Sequence, residues 1–181
     1  MSQKSILAQL LPLSTLIVCL FLLIAVSQPV AAQATPPTVT YTAGTNTITI
    51  GSSVGTPASQ PIALAAVAAQ LANPSVLAVE GDAWVLKANI IVDVTAQLSV
   101  TPADGVTKLR MESKFDKFVY IIARQGGHLL FDGMTVTSWD TTSNQVDQET
   151  TDRAYVLAQD GARLDIKNSD FGYLGYLAGG N

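Results

Sequence analysis

The sequence contains almost no cysteine or histidine, and this scarcity argues against several classes of protein. Of its 181 residues, one is cysteine and one is histidine, so no pair has the spacing of a zinc site. Cys19 lies inside an apolar run and belongs to no disulfide framework, so packing and backbone hydrogen bonds must stabilise the exported chain. A Gly-x-Ser-x-Gly elbow, a phosphate-binding loop and a dinucleotide fingerprint are also missing, which argues against serine hydrolases and nucleotide enzymes.

The first 32 residues have the layout of a secretory signal peptide. Lys4 precedes the nearly uncharged apolar run from Leu10 to Val26, and small residues follow it. We predict cleavage after Ala32, or else after Ala34, and a protein that is secreted, periplasmic or on the cell surface. A permanent membrane anchor is the alternative, since the run is close to the lower spanning limit of about 17 residues. The small residues favour cleavage, after which we expect no membrane association.

Basic residues are outnumbered in the predicted mature chain. Removing Lys4 leaves nine Lys and Arg against fourteen Asp and Glu, a formal charge of −5. A phosphate backbone requires a basic stripe, so nucleic acid is not expected as a partner.

Two irregular segments precede the regular part of the chain. Residues 33–58 are rich in Thr, Gly, Pro and Ser and predict a flexible leader, with one possible edge strand from Thr45 to Ile50. The alanine-rich segment Ile62 to Leu71, between Pro61 and Asn73-Pro74, predicts a short helix. We interpret it as a cap over the open end of a stack of strands.

Part of the chain repeats with a constant offset. The segment Tyr120 to Gly126 returns as Tyr155 to Gly161, and His128 to Phe131 returns as Arg163 to Ile166, so the offset is 35 residues. A polar excursion from Asp140 to Asp152 lies inside it, and without the excursion the period is about 22 residues. Such periods indicate stacked repeats. With β-rich segments in each copy, residues 59–181 predict a helical cap followed by a stack of β coils.

Short strands separated by turn residues support this interpretation. The predicted strands are Trp84 to Leu86, Ile90 to Val94, Leu98 to Val100, Leu109 to Met111, Phe118 to Ala123, His128 to Phe131, Met134 to Val136, Tyr155 to Ala158 and Leu164 to Ile166.

Stacked coils would sort the repeated residues into two faces, because alternate strand residues share a face. The inward columns are Leu98, Leu129 and Leu164, and Val100, Phe131 and Ile166. The outward ladders are Gln97, His128 and Arg163, then Ser99, Leu130 and Asp165, then Asp132 and Lys167. A flat sheet face with these charged groups is suited to an acidic polysaccharide such as a polyuronate.

Several segments carry a family resemblance: Trp84 to Ile90, Leu109 to Ser113, Asp132 to Asp140, Arg153 to Tyr155 and Ser169 to Tyr176. Together they resemble the N-terminal half of secreted bacterial right-handed parallel β-helix proteins, some of them mannuronan epimerase-like. The resemblance implies an all-β, pectate-lyase-like solenoid with a short N-terminal capping helix and a polysaccharide along one side.

The chain departs from that family in two ways. The mannuronan epimerases carry a Tyr-Gly-x-Asp-Pro-His-Asp type of segment, which this sequence lacks. Fuller relatives continue for many rungs, so we expect that Asn181 marks a truncation or the end of an unusually short member, and that this segment alone is inactive.

Four charged residues of the outward ladders are candidates for uronate chemistry. Epimerisation or elimination needs a base and a group that neutralises the carboxylate. His128 and Arg163 are the catalytic candidates, and Asp132 and Lys167 are candidates for substrate binding. The alternative is that His128 is a polar surface residue.

Acidic side chains in the polar excursion are candidate calcium ligands. Asp140, Asp147, Glu149 and Asp152 could supply oxygen ligands, although their spacing matches no EF-hand loop. A solvated acidic loop is the alternative.

Four aromatic residues are further candidates for binding sugar rings. Trp139 and Tyr155 flank the excursion, and Tyr173 and Tyr176 lie in a glycine-rich segment. For the last two, the alternative is packing at a corner of the coil, where glycine permits a tight turn.

The sequence thus predicts an exported β-helix protein that binds or acts on a polysaccharide, as the N-terminal part of a uronan epimerase or lyase. The competing hypothesis is a non-catalytic scaffold or adhesion solenoid at the cell surface or in a matrix.

Overall fold

The computed structural model describes residues 36–51, 60–102, 105–114, 117–149 and 151–175. All of them belong to the second of two compact units, residues 34–181. The predicted signal peptide and Tyr176 lie outside the described residues. Within the described ranges, no helix combines the length and apolar character needed to cross a membrane.

The described residues form many short strands and one α-helix, which confirms the predicted β-rich content. A 3-10 turn, Ala43–Thr45, joins the first two strands. The elements are β1 Thr38–Thr42, β2 Thr47–Gly51, β3 Ile62–Ala63, α1 Leu64–Leu71, β4 Leu77–Glu80, β5 Ala83–Leu86, β6 Asn89–Val92, β7 Gln97–Val100, β8 Lys108–Lys114, β9 Lys117–Phe118, β10 Tyr120–Ala123, β11 His128–Asp132, β12 Thr135–Asp140, β13 Gln145–Val146, β14 Tyr155–Ala158, β15 Arg163–Lys167 and β16 Asp170–Gly172.

The strands lie in three sheets, named A, B and C here. Sheet A has the order β1-β2-β6-β10-β14, sheet B has β15-β11-β7-β3, and sheet C has β13-β12-β8-β5-β4 with β16 beside β12. Strands β6, β7 and β8 lie in A, B and C in turn, and the next two circuits, β10 to β12 and β14 to β16, repeat that order. Each of these strands runs parallel to its counterpart one circuit earlier.

The pairing register agrees with the sequence repeat. Tyr120 pairs with Tyr155 and Leu129 pairs with Leu164, an offset of 35 residues in both sheets. Sheet B also contains β3, a strand that the sequence repeat did not predict. Its Ile62 pairs with Leu98 of β7. The polar excursion folds back on sheet C as β13, which is antiparallel to the end of β12.

The core lies between the three sheets and is filled by columns of apolar side chains. In sheet B, Leu98, Leu129, Val100 and Phe131 are all buried, as their alternation predicts. In the last described circuit, Leu164 is partly buried and Ile166 is 48% exposed. The inward columns are therefore fully covered only in the earlier circuits.

The helix begins two residues later than predicted. Ile62 and Ala63 form β3 because their backbone pairs with β7, and the helix covers Leu64–Leu71. Tertiary pairing has overridden a strong local helix propensity. Leu64 and Val67 are buried in the main core, where the helix packs against β1, β3 and β7.

Within the leader predicted for residues 33–58, the possible strand from Thr45 to Ile50 is confirmed as β2, but a flexible course is wrong for the described part, residues 36–51. Its described part contains two strands, β1 and β2, which form an antiparallel hairpin. Strand β2 pairs in parallel with β6, and Ile48 and Ile50 are fully buried. These two strands form one edge of sheet A. In the Thr-Ile-Thr-Ile alternation of β2, the two isoleucines face the core.

The strand predicted from Ile90 to Val94 ends at Val92. Val94 and Thr95 instead form the turn to β7, both in the left-handed region, with φ values of 42° and 56°. Gly126 and Gly161 occupy the position of Thr95 in the next two circuits and also have positive φ. A β-branched residue in this region is strained, at about 1–2 kcal/mol.

Thr95→Gly should therefore stabilise the protein. We expect a net gain of about 0.5–1 kcal/mol, since relief of strain exceeds the added chain entropy of glycine. Chemical denaturation measures this gain, and Thr95→Ala, which keeps a Cβ in the strained region, is the control. Equal stability of the glycine and alanine variants would contradict strain at this turn.

Candidate functional site

The predicted outward ladders lie side by side on sheet B. His128 pairs with Gln97 on one side and Arg163 on the other, Leu130 lies between Ser99 and Asp165, and Asp132 pairs with Lys167. None of these side chains is fully buried. We call this surface the sheet B face, made of Gln97, Ser99, His128, Leu130, Asp132, Arg163, Asp165 and Lys167.

Asp165 joins the two catalytic candidates. Its Oδ1 accepts a hydrogen bond from Arg163 Nε at 2.9 Å, and its Oδ2 lies 2.8 Å from an Arg163 terminal nitrogen. The same Oδ2 lies 3.0 Å from His128 Nε2 on the neighbouring strand. The carboxylate therefore accepts a two-point contact within its own strand and a third contact across the sheet.

Charge and hydrogen bonding keep this carboxylate ionised. The Arg163 hydrogen bond lowers the pKa of Asp165, with a smaller contribution from His128, and partial burial opposes both. Reciprocally, the Asp165 hydrogen bond raises the pKa of Arg163. An ionised carboxylate only accepts hydrogen bonds, so a neutral His128 places its proton on Nε2 and its lone pair on Nδ1. A base at Nδ1 is chemically available in this arrangement.

The other two charged candidates, Asp132 and Lys167, lie one step further along the strands. Asp132 Oδ1 accepts a hydrogen bond from Asn168 Nδ2 at 3.0 Å, and Lys167, the strand partner of Asp132, is exposed. The sheet B face thus brings together His128, Arg163, Asp132 and Lys167, as predicted.

The described aromatic candidates lie outside sheet B. Trp139 is in sheet C, where the guanidinium of Arg110 stands 4.0 Å from its ring centroid. Tyr155 is in sheet A and stacks on Tyr120 at 5.4 Å between centroids. Tyr173 follows β16 and is 49% exposed. These three described residues therefore do not belong to the sheet that carries the charged ladders.

Within the polar excursion, Asp147 is a buried anchor. Its Oδ2 accepts a hydrogen bond from Ser113 Oγ, its Oδ1 accepts one from the Glu149 amide, and the residue is only 4% exposed. Ser113 Oγ also lies 3.1 Å from the backbone carbonyl oxygen of Asp152, so its single hydroxyl proton is shared between two acceptors. These contacts of one serine tie the excursion to β8.

Asp140 stabilises the turn at the start of the excursion. Asp140 accepts hydrogen bonds from Ser143 Oγ and the Thr142 amide, and the Ser143 bond is the main cause of its lowered pKa. Asp140, Asp147 and Glu149 line a shallow depression of about 220 Å³. Nowhere in the described ranges do three acidic or histidine side chains group as metal ligands. Calcium binding in this segment stays a prediction.

The sheet order and the register can be compared with those of solved protein structures. The described fold is similar to that of a periplasmic alginate epimerase. A crystal structure of that enzyme, AlgG, aligns with 96% of this chain at a TM-score of 0.59 and 17% identity. A double mutant of AlgG aligns over the same share at 0.59 and 16% identity, and a second mutant aligns with 70% of the chain at 0.54 and 19% identity.

At this level of identity the likeness concerns the fold alone. The chain spans 43% of the length of the AlgG chain in the first two alignments and 28% in the third. No protein-family model and no curated protein sequence matches the chain.

Sequence reasoning missed two features of these surfaces. Asp165 was predicted on the outward ladder but not as the group that binds both His128 and Arg163. The spacing of Arg163 and Asp165, two apart on one strand, could have revealed their pairing, since such residues share a face. The stacking of Arg110 on Trp139 could not be predicted from a local sequence pattern, because the two residues are far apart in the chain.

Proposed function

We propose that this chain is the N-terminal part of an exported right-handed parallel β-helix protein that binds an acidic polysaccharide, such as a polyuronate, along the sheet B face. Parallel pairing between successive circuits, the similarity to AlgG and the signal-like N-terminus support the fold and the export. The combination of Arg163, Lys167 and His128 on one flat face supports the ligand class.

The chemistry of a uronate polymer fits that face. Each uronate unit carries a carboxylate, which Arg163 and Lys167 can bind through charge-assisted hydrogen bonds. Its hydroxyl groups can donate to Asp132. Arg163 and Lys167 both lie on β15, so their positive charges are spaced along one strand of the face.

Catalysis by this segment is the weaker form of the proposal. A uronan epimerase or lyase needs a base next to a neutralised carboxylate, and His128 Nδ1 beside Arg163 is the arrangement that supports one. The contacts between Asp165 and Arg163 instead favour a non-catalytic role, because the donors that would neutralise a substrate carboxylate are already engaged. A surface or matrix scaffold that only binds glycan is therefore the second candidate function.

Binding should depend on Arg163. We expect Arg163→Ala to weaken binding to polymannuronate about tenfold, the worth of one hydrogen bond to a charged group, and to leave the weaker binding to a neutral glucan unchanged. Affinity electrophoresis of the mature protein in gels containing each polymer measures both effects.

Lys117→Ala provides a matched control, because it removes an exposed positive charge from β9, outside sheet B. Equal retention of the wild-type protein by both polymers would contradict the proposal. So would an equal loss in the Lys117 and Arg163 variants, which would show that only net charge matters.

A further inference from the structure

We propose that the Asp165 carboxylate occupies the edge of the Arg163 guanidinium to which a uronate carboxylate would bind. Asp165 thereby limits the affinity of the sheet B face for acidic polymers. This inference rests on the proposed function and adds a residue that determines its specificity.

The contact between Arg163 and Asp165 has the geometry of carboxylate recognition. Two guanidinium nitrogens meet the two carboxylate oxygens, at 2.9 and 2.8 Å. A parallel two-point contact of this kind is how arginine recognises an external carboxylate. A uronate carboxylate that used the same edge of the guanidinium would have to displace Asp165.

Displacement is feasible because the pair is open to solvent. The Arg163 side chain is 70% exposed, while that of Asp165 is 20% exposed. Exposed ion pairs contribute little to stability, since water screens the charges and the long side chain loses freedom. Arg163 can therefore turn toward a ligand while Asp165 stays in contact with His128 at 3.0 Å.

Asp165 should then disfavour acidic ligands in two ways. It competes for the donors of Arg163, and its negative charge repels an arriving carboxylate. A neutral glycan has no carboxylate to compete or to be repelled, so its binding should be insensitive to Asp165. The residue would set how strongly the face prefers acidic over neutral polymers.

Asp165→Asn tests this directly. The asparagine is nearly isosteric but removes the charge and the charge-assisted contact, so we expect polymannuronate oligomers to bind about two- to fivefold more tightly, with neutral glucan unchanged. Isothermal titration at fixed salt measures both affinities. Asp165→Ala is a second variant that should show the same gain, and thermal melting checks that both variants fold.

Asp93→Asn is the matched control. Asp93 pairs with Arg124 at 2.8 Å beside sheet A, so this variant removes one carboxylate from an equivalent Asp–Arg pair and changes the net charge equally. An equal gain in both variants would overturn the inference, because charge alone would then explain it.

The double variant Arg163→Ala, Asp165→Asn separates the inference from the proposed function. The gain from Asp165→Asn should be smaller when Arg163 is absent, because only the relief of charge repulsion then remains. If Arg163→Ala weakens binding while Asp165→Asn leaves it unchanged or weakens it, the inference is wrong and the proposed function stands. If Arg163→Ala has no effect, the proposed function itself fails.

Discussion

Gly127→Ala should destabilise the protein by about 2–4 kcal/mol, more than an ordinary surface substitution. Gly127 lies in the turn between β10 and β11, where its amide donates to the Arg124 carbonyl at 2.9 Å. A Cβ on this residue would stand 2.5 Å from the Val92 carbonyl oxygen and 3.0 Å from that of Arg124. Both are backbone atoms, and the Val92 oxygen already accepts a hydrogen bond from the Arg124 amide. No flexible side chain can yield, so the turn must shift.

For a chain of this size we expect the melting temperature to fall by roughly 6–12 °C. Gly51→Ala is the control, since nothing lies within 4 Å of a Cβ there. Alanine stands at the equivalent positions 96 and 162 of the neighbouring circuits, so a comparison of repeats alone predicts that Gly127→Ala is harmless. If the Gly127→Ala and Gly51→Ala variants have the same melting temperature, the comparison of repeats is right. The close approach of a Cβ to the backbone at Gly127 would then not be destabilising.

The sequence predicted the register of the sheets because the repeat has a constant offset. Residues that recur 35 positions apart, such as Leu129 and Leu164, form one column when each circuit covers the previous one. The ends of elements were less predictable, because they depend on partners in other circuits. Ile62 became a strand residue because β7 offers it a backbone partner, and Val94 left its strand because the chain has to turn into sheet B.

The charged face was predictable for the same reason, since alternation and offset together place His128 beside Arg163. The hydrogen-bond partners of those side chains were not predictable. A period-two pattern gives the side of the sheet on which Asp165 lies, but not which of its neighbours it binds. Trp139 near the end of β12 and Asp147 in the excursion lie outside the repeat, and their surroundings depend on how the excursion folds back on β12.

Phe131→Ala should produce the largest loss of stability among the sheet B substitutions, about 3–5 kcal/mol. Phe131 is fully buried and packs edge to face against Phe171 of β16, with 5.1 Å between ring centroids. Removing the ring leaves a cavity between two circuits and deletes the aromatic contact. Denaturant unfolding monitored by circular dichroism measures the loss.

Ile166→Ala is the control for Phe131→Ala, because Ile166 stands in the same column one circuit later. The periodicity of the sequence treats the two residues alike, whereas Ile166 is 48% exposed, so its truncation should cost no more than about 1 kcal/mol. A loss at Ile166 as large as that at Phe131 would mean that another circuit or another molecule covers Ile166 in solution. A small loss at Phe131 would instead contradict the packing of β11 against β16, and with it the stacking of circuits that brings His128, Arg163 and Asp165 together.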